Sequence, residues 1–529
     1  MRSSSARALG VAVLAMAAPR VLHAQAPRDP PVIDTIIVVN RGIFDQNEMI
    51  ETPPFITRVA DALHVRTRES VIRRTLTVNQ GDRFDSARVA ESARALRSLN
   101  VFRDVAVDTI RVHGRLALLV ETADGWSTKP QFNFSSSGGS ITWAAGIEED
   151  NLLGTATSLR ALYTKTPDRS LGQFVYSNPH FIARRPRLQL SYSALSDGNF
   201  GAWGVGVPFY ETAARHAYGT NGDVGTVRVL RFRDGLFQDS VRRQTLRFAV
   251  GGGLALHATS EGYLRVWGSA VWREEEFVNP LPPAPGLVVP DSIYGTVGAG
   301  IEWGHPRFTV LRHFNTYARR EDVNLSQFLR LGFWAAPEAW GYSAGRSGVG
   351  GELGIGASGH WPGGFVTFGV RSNGLFTGAG VDSARIRGGI TVASQNIPSQ
   401  TIILHFEGGA LRMPRPGAEF DPWQDQSGPR LFPAHAVTGT RTVWFTFEDR
   451  ILVTDEAWGL VGVGVAPYFD WGGAWYDDEA MRVGGDVGIS TRLGPTRAVR
   501  GEVTEFAFGY RFGVGIDGWA VTIRRGIAF

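Results

Sequence analysis

The sequence predicts a mostly β chain: a transmembrane antiparallel β-barrel preceded by one small α+β domain. Three observations carry that expectation. The chain opens on a short apolar segment of secretory length. Beyond it there is no run of roughly 18 uncharged apolar residues, the minimum for a spanning helix. Yet Gly (65), Phe (31), Trp (15) and Tyr (12) are abundant together, in many short segments of alternating character.

Arg2 and Arg7 form a basic region ahead of Ala8–Ala18, an uncharged run shorter than the about 20 apolar residues that cross a bilayer. Residues 1–24 therefore read as a signal peptide, cleaved after Ala24. Cleavage after Ala26 fits a small-x-small pattern better but sets Pro27 beside the scissile bond. The 529 residues include no cysteine, which removes disulfides, thiolate metal sites and cysteine nucleophiles. A net charge of +4 is small for this length and points to no nucleic-acid partner.

The turn-forming stretch Asp124-Gly125-Trp126-Ser127 divides the exported chain into residues 25–123 and a barrel of residues 124–529. In the first part, Ile33–Asn40 is a β-branched strand, and residues 51–63 form an extra segment with helical potential after Pro53-Pro54. Glu69–Leu76 is a helix with Val71, Ile72, Thr75 and Leu76 on one face. Gly81-Asp82 breaks it. Asp85 caps a second helix, where Val89, Ala93 and Leu96 recur at helical spacing. Val101–Thr109 and Arg115–Glu121 then alternate as two strands about a turn at His113-Gly114. The order is β-α-α-β-β, in a unit large enough for a modest core.

The run Val71-Ile72-Arg73-Arg74-Thr75-Leu76, then Gln80-Gly81-Asp82-Arg83-Phe84-Asp85, Leu96-Arg97-Ser98-Leu99 and Phe102-Arg103-Asp104-Val105, resembles a POTRA domain. The resemblance makes Gly81 and Asp82 the turn, and Leu96 and Phe102 the core step from helix to strand. Further on, Asn151-Leu152-Leu153-Gly154-Thr155 and Ser177-Asn178-Pro179-His180-Phe181 resemble the first hairpin and the Asn-Pro-x-Phe step of barrels in the BamA/TamA family of outer-membrane assembly factors. That resemblance covers nearly all of the mature chain and implies about 16 strands. Alternation gives somewhat more, an excess read as the splitting of single strands, and assigns none uniquely from Ala214 to Thr377.

Physics favours closure independently. A bilayer leaves no water for backbone N–H and C=O groups, so only helices and closed barrels cross it. In the last strand Trp519, Val521, Ile523, Ile527 and Phe529 share one face, with Arg525 the exception, and Ala520, Thr522 and Arg524 share the other. The terminal Phe529 resembles a C-terminal outer-membrane sorting signal.

The most informative polar stretch is Gln424–Thr438, a long loop containing Gly428-Pro429-Arg430-Leu431-Phe432-Pro433. It stands where the family carries a Val-Arg-Gly-aromatic motif: Arg430 and Phe432 match, and the valine and glycine do not. Val499-Arg500-Gly501-Glu502 matches more letters, but too little chain follows it for the five strands that the motif must precede. Five strands do follow Arg430: Arg441–Leu452, Gly459–Trp475, Val483–Leu493, Val499–Phe512 and Gly518–Phe529. Alternation turns Val443, Phe445 and Phe447 to lipid and Thr446, Glu448 and Arg450 to the lumen. It likewise turns Tyr468, Asp470 and Gly472 inward, and Phe469-Asp470-Trp471-Gly472 resembles the family's partner motif for the loop arginine. Arg430 is therefore expected to meet Asp470 or Glu448, in a bidentate pair that fixes the loop.

Gly341-Tyr342-Ser343-Ala344-Gly345 spells a nucleophile-elbow pattern, but the glycine-rich Arg346–Gly351 that follows is no helix. The 11 histidines show no paired metal spacing, and no phosphate loop is evident. A non-enzymatic protein without cofactor or metal is expected. The resemblance implies insertion or assembly of outer-membrane proteins from the bacterial outer membrane, with the POTRA domain in the periplasm. The implied partners are membrane lipids, unfolded outer-membrane protein clients, and periplasmic or lipoprotein accessory factors. Two alternatives stay open: a two-partner-type secretion pore, and a passive structural channel.

Overall fold

The computed structural model describes residues 30–43, 64–137, 139–233, 235–278, 292–317, 320–341, 347–425, 427–497 and 502–525. Residues 1–24, read from the sequence as a signal peptide, the segment 51–63, the Gly-x-Ser-x-Gly serine and Phe529 lie outside them.

The small domain packs two helices on a three-stranded sheet. Its elements are β1 (Thr35–Arg41), α1 (Glu69–Thr75), α2 (Ser86–Ser98), β2 (Phe102–Val112) and β3 (Arg115–Asp124). The sheet order is β1-β3-β2, with β1 parallel and β2 antiparallel to the central β3. Asp85 caps α2 by accepting the backbone N–H groups of Ala87 and Arg88. The core joins Ile33, Ile72, Leu76, Leu96, Phe102, Val105, Leu118 and Val120. Gly81 adopts φ +90°, and the Asp82 carboxylate accepts from Asn79 N–H at 3.0 Å, closing the turn between the helices.

The rest is a closed antiparallel barrel of twenty strands among the described residues, from Thr128–Ser137 to Gly518–Arg525. Sixteen is thus too few, and the surplus in the alternation is real rather than split strands. Seven wall strands lie between His216 and Thr377: His216–Arg233, Leu236–Ala258, Tyr263–Val278, Ser292–His305, Gln327–Ala336, Gly348–Trp361 and Gly364–Thr377. Glycines and paired lumen charges interrupt their apolar period. Leu236–Ala258 also runs 23 residues, well beyond the ~9–11 that cross a bilayer.

The barrel is inverted relative to a soluble protein. Leu190, Tyr192, Leu246, Phe248, Phe508, Trp519 and Val521 are exposed on the outer face, while Glu448, Asp470, Asp486 and Glu505 are buried inside. Because the strand number is even, the first and last strands both reach the end that carries the small domain.

Both turns singled out by resemblance dock that domain. The Asn151 side-chain amide donates to Val65 O (3.0 Å) and Thr67 Oγ1 (2.9 Å), and Gly154 O accepts from Arg68 N–H (2.9 Å). Gly154 has φ +73°, and a Cβ there would lie 2.4 Å from Arg66 O, so the turn needs glycine on two counts. His180 Nε2 lies 3.0 Å from Thr75 Oγ1, and Arg184 donates to carbonyls at the end of α1. The joint itself is buried: the Asp124 carboxylate accepts from Thr67 N–H (2.8 Å) and sits 3.0 Å from His64 Nε2.

Candidate functional site

Between the wall strands Gln400–Arg412 and Arg441–Ala457, the loop of residues 413–440 folds back into the lumen. Its folding is apolar first. Phe420, Phe432, Ala436 and Val437 of the loop pack against Leu411, Trp444 and Ala474 of the wall. Phe420 and Gly439 pair through their backbones and pinch the base of the loop. Gly428, at φ +75°, then turns the chain so that Arg430 points inward.

Arg430 is buried in carboxylates. Its Nε donates to Asp470 Oδ2 (2.6 Å) and its Nη2 to Asp470 Oδ1 (3.1 Å) and Glu448 Oε2 (3.0 Å). Its Nη1 donates to Glu505 Oε1 (2.5 Å), and the guanidinium lies 3.8 Å from the centre of the Tyr468 ring. Glu448 also accepts from Arg450 Nε (2.6 Å) and Arg492 Nη1 (2.9 Å), and Glu505 from Arg524 Nη2 (3.2 Å). Four guanidiniums therefore meet three carboxylates, and Asp486 beside them accepts Leu431 N–H at 2.9 Å. Buried charge is tolerated only with this degree of pairing. Gly472 serves the same site: a Cβ there would come within 2.2 Å of Val443 O, so glycine lets the two strands that carry Asp470 and Glu448 close up.

The loop also spans the junction where the last strand meets the first. Among the described residues, which end at Arg525, the last strand pairs with the first at one register position, Ile523 with Ser136, whereas it pairs with its other neighbour at eight, from Thr504–Arg525 to Arg511–Gly518. Nearer the small domain the junction is bridged by a side chain, Arg525 Nη1 donating to Gln131 Oε1 (3.0 Å) and to Asn133 Oδ1. Inside, Ser137 Oγ of the first strand donates to Arg430 O (3.2 Å) and to Phe432 O, and Ala434 N–H donates to Ser140 Oγ (3.2 Å). On the other side of the seam, Arg511 Nη1 donates to Leu431 O (3.1 Å) and Glu505 holds Arg430. One short stretch, Arg430–Ala434, thus bridges the seam from the first two strands to the penultimate one.

A second anchor fixes the loop on the far side of Phe432. His435 is buried, with Asp421 Oδ2 at 2.5 Å from Nδ1 and both Asp168 oxygens at 3.1 Å from Nε2. Its ring stacks on Phe232 with centroids 3.6 Å apart. Burial opposes the charge, but the two carboxylates overcome it and hold the imidazole pKa up at about 9.

Of the residues singled out in the sequence, Arg430, Phe432, Glu448 and Asp470 come together here, while Gly81, Asp82, Leu96 and Phe102 stay in the small domain. Glu505, Asp486, Arg492, Arg524, Ser137 and His435 were missed. Glu505 was legible in principle, because it alternates with the exposed Phe506 and Phe508.

No family model matches the chain, and no curated protein does. Among solved structures it is similar to CdiB from Escherichia coli (10% identity, 97% of this chain and 93% of that one, TM-score 0.46). It is similar also to CdiB from Acinetobacter baumannii (10%, 94% and 74%, TM-score 0.42). A third is BamA from Haemophilus ducreyi lacking POTRA domains 1–3 (11%, 93% and 84%, TM-score 0.39). At such values the functional reading rests on the chain's own geometry.

Proposed function

We propose that this chain is an outer-membrane β-barrel that inserts or assembles other outer-membrane proteins, with residues 25–123 as a POTRA-like domain in the periplasm. The observation that supports it is the seam: among the described residues a barrel otherwise closed by long ladders meets itself at one registered pair, with a loop bridging from the first strand to the penultimate one from within. Backbone left without a ladder among the described residues of the two seam strands is a template for an incoming strand. The edge strands β1 and β2 of the small domain can take an extended client by β-augmentation before that step. The Arg430 cluster then sets the resting, closed state of the seam. Phe529 acts as the chain's own sorting signal, so that deleting it lowers assembly into the membrane.

The test uses the absence of cysteine. Ser136 and Ile523 are directly opposed, a placement suited to a disulfide. The Ser136→Cys/Ile523→Cys double variant, as sole copy, should deplete the outer membrane of other barrel proteins under oxidising conditions, and reductant should restore them. A secretion pore or passive channel conducts through the lumen and would be indifferent to a cross-linked seam. An unchanged protein inventory with the disulfide formed would overturn the assembly reading.

A further inference from the structure

Between the wall strands Ser292–His305 and Gln327–Ala336 the chain inserts residues 306–326, at the end that carries the small domain. The base of the insertion is a hairpin of Phe308–Leu311 with Glu321–Asn324. Beyond that base it crosses the lumen. Phe314 packs on Phe365, Ala393 and Ile403, which face inward because Phe368, Ile390 and Leu404 of the same strands are exposed to lipid.

Tyr317 travels further. Its ring fills the space over Gly462, Gly464 and Gly494, where an added Cβ would come within 2.3 to 2.5 Å of it, and its hydroxyl donates to Arg492 O (3.1 Å). Those glycines lie on strands six and seven places round the wall from Gln327–Ala336. A segment that starts on one wall and is seated in a glycine slot on another is a chord across the mouth, not a surface loop.

Two buried arginines tie down its ends. Arg450 Nη1 donates to Phe314 O and to Asn315 Oδ1 (3.1 Å), while its Nε holds Glu448, the carboxylate that also receives Arg430. At the base, Asp322 takes a bidentate pair from Arg97 of α2, with Nε to Oδ2 and Nη2 to Oδ1 both at 2.6 Å. Arg97 follows the core residue Leu96, so this pair reports directly on where the small domain sits.

We propose that residues 306–317, returned by the strand Glu321–Asn324, stopper the small-domain end of the lumen, and that Arg97–Asp322 makes the small domain the latch of this stopper. Displacing the domain strips Asp322 of its partner, and a half-buried carboxylate left unpaired favours solvent. The strand then draws the chord out of its glycine slot. The stopper, through Arg450, and the Arg430 loop, through Arg430 itself, are both tied to Glu448 from opposite ends of the lumen, so withdrawing either loosens the other. This inference stands apart from the assembly reading, since a stopper can serve any channel of this shape.

The test is ion conductance of the purified full chain in planar bilayers. The parent should conduct weakly and open rarely. Phe314→Ala/Tyr317→Ala should raise time-averaged conductance several-fold, as should Arg97→Asp alone. Arg97→Asp/Asp322→Arg should return it to the parent level, which mere damage to the small domain would not do. If the alanine pair stays closed, replacing 309–323 with Gly-Gly while the barrel remains heat-modifiable on a gel decides the matter. Parental conductance in that folded deletion overturns the stopper. Parental conductance in Arg97→Asp, or no recovery in the charge swap, overturns the latch.

Discussion

Asp470 receives the Arg430 guanidinium twice, at 2.6 Å through Nε and 3.1 Å through Nη2, and both side chains are about 1% exposed. A bidentate, desolvated pair of this kind loses far more when one partner goes than when both go. Arg430→Ala leaves Asp470 without a guanidinium and takes one bond each from Glu448 and Glu505, and Asp470→Ala leaves Arg430 with Glu448 and Glu505 alone. Each single variant should cost about 3–5 kcal/mol of loop anchoring. The double variant should be no worse than Arg430→Ala, because it also removes the carboxylate left without a partner. The measurement is protease protection of residues 413–440 in intact membranes, alongside the outer-membrane protein inventory. Strictly additive losses would show that the two residues act independently.

The small domain should fail separately from the barrel. Leu96 is fully buried among Ile72, Phe102 and Leu118, with no polar partner for a substituent. Leu96→Ala should cost about 2–5 kcal/mol, and Leu96→Asp should unfold the domain by burying an unpaired carboxylate. Trypsin should then degrade residues 30–124 while the barrel keeps its heat-modifiable mobility. Loss of the barrel together with the domain would show that the docking turns at Asn151 and His180 are needed for barrel closure.

How much of this was legible in the sequence depends on range. Alternation over a strand is local, so the inward placement of Glu448 and Asp470 followed from the outward placement of Phe447 and Phe469. The pairing of Arg430 with Asp470 required a loop motif as well, and that motif was half present. Ser137 carried no signal: its role exists only because the first strand closes against the last and the loop happens to pass there. His435 was equally silent, since Asp168 and Asp421 come from separate turns. The strand count was misjudged because sixteen came from resemblance, while Gly298, Gly300 and Gly304 lack the apolar side chains that mark a strand. Those glycines make room for Trp334, Trp267 and Tyr263, a packing reason visible only in three dimensions.

Docking of the small domain should depend on Gly154. A side chain there meets Arg66 O at 2.4 Å and must also adopt φ +73°. For a β-branched residue the backbone conformation alone costs about 1–2 kcal/mol, and the clash adds to it. Gly154→Val should therefore loosen the contact of residues 64–68 with the turn, leaving the small-domain core intact. Hydrogen exchange should rise at Arg68 N–H, which donates to Gly154 O, and stay unchanged at Leu118 and Val120. Equal exchange at Arg68 in parent and variant would refute this role.

The grip of the loop should weaken at alkaline pH, through His435. Its pKa is raised from an ordinary value near 6.5 to about 9, with Asp168 and Asp421 as the charged groups that face it and Phe232 and Trp423 as its ring neighbours. The sign follows from the direction. A group that holds its proton more tightly in the folded loop stabilises that fold fully below its free value and loses the contribution as pH rises through the folded value. The anchor is thus complete below about pH 6.5, declines as the pH passes 9, and is gone above it. Losing the proton leaves Asp168 and Asp421 facing a neutral ring that donates from only one nitrogen, so one carboxylate is left without its bond. Protease protection of residues 413–440 should therefore fall between pH 7 and pH 10 in the parent. His435→Gln should be weaker at neutral pH and flat across the same interval, because glutamine carries no charge to lose. A parent profile as flat as that of the variant would mean that the imidazole is neutral throughout, and that stacking on Phe232 rather than charge holds this end of the loop.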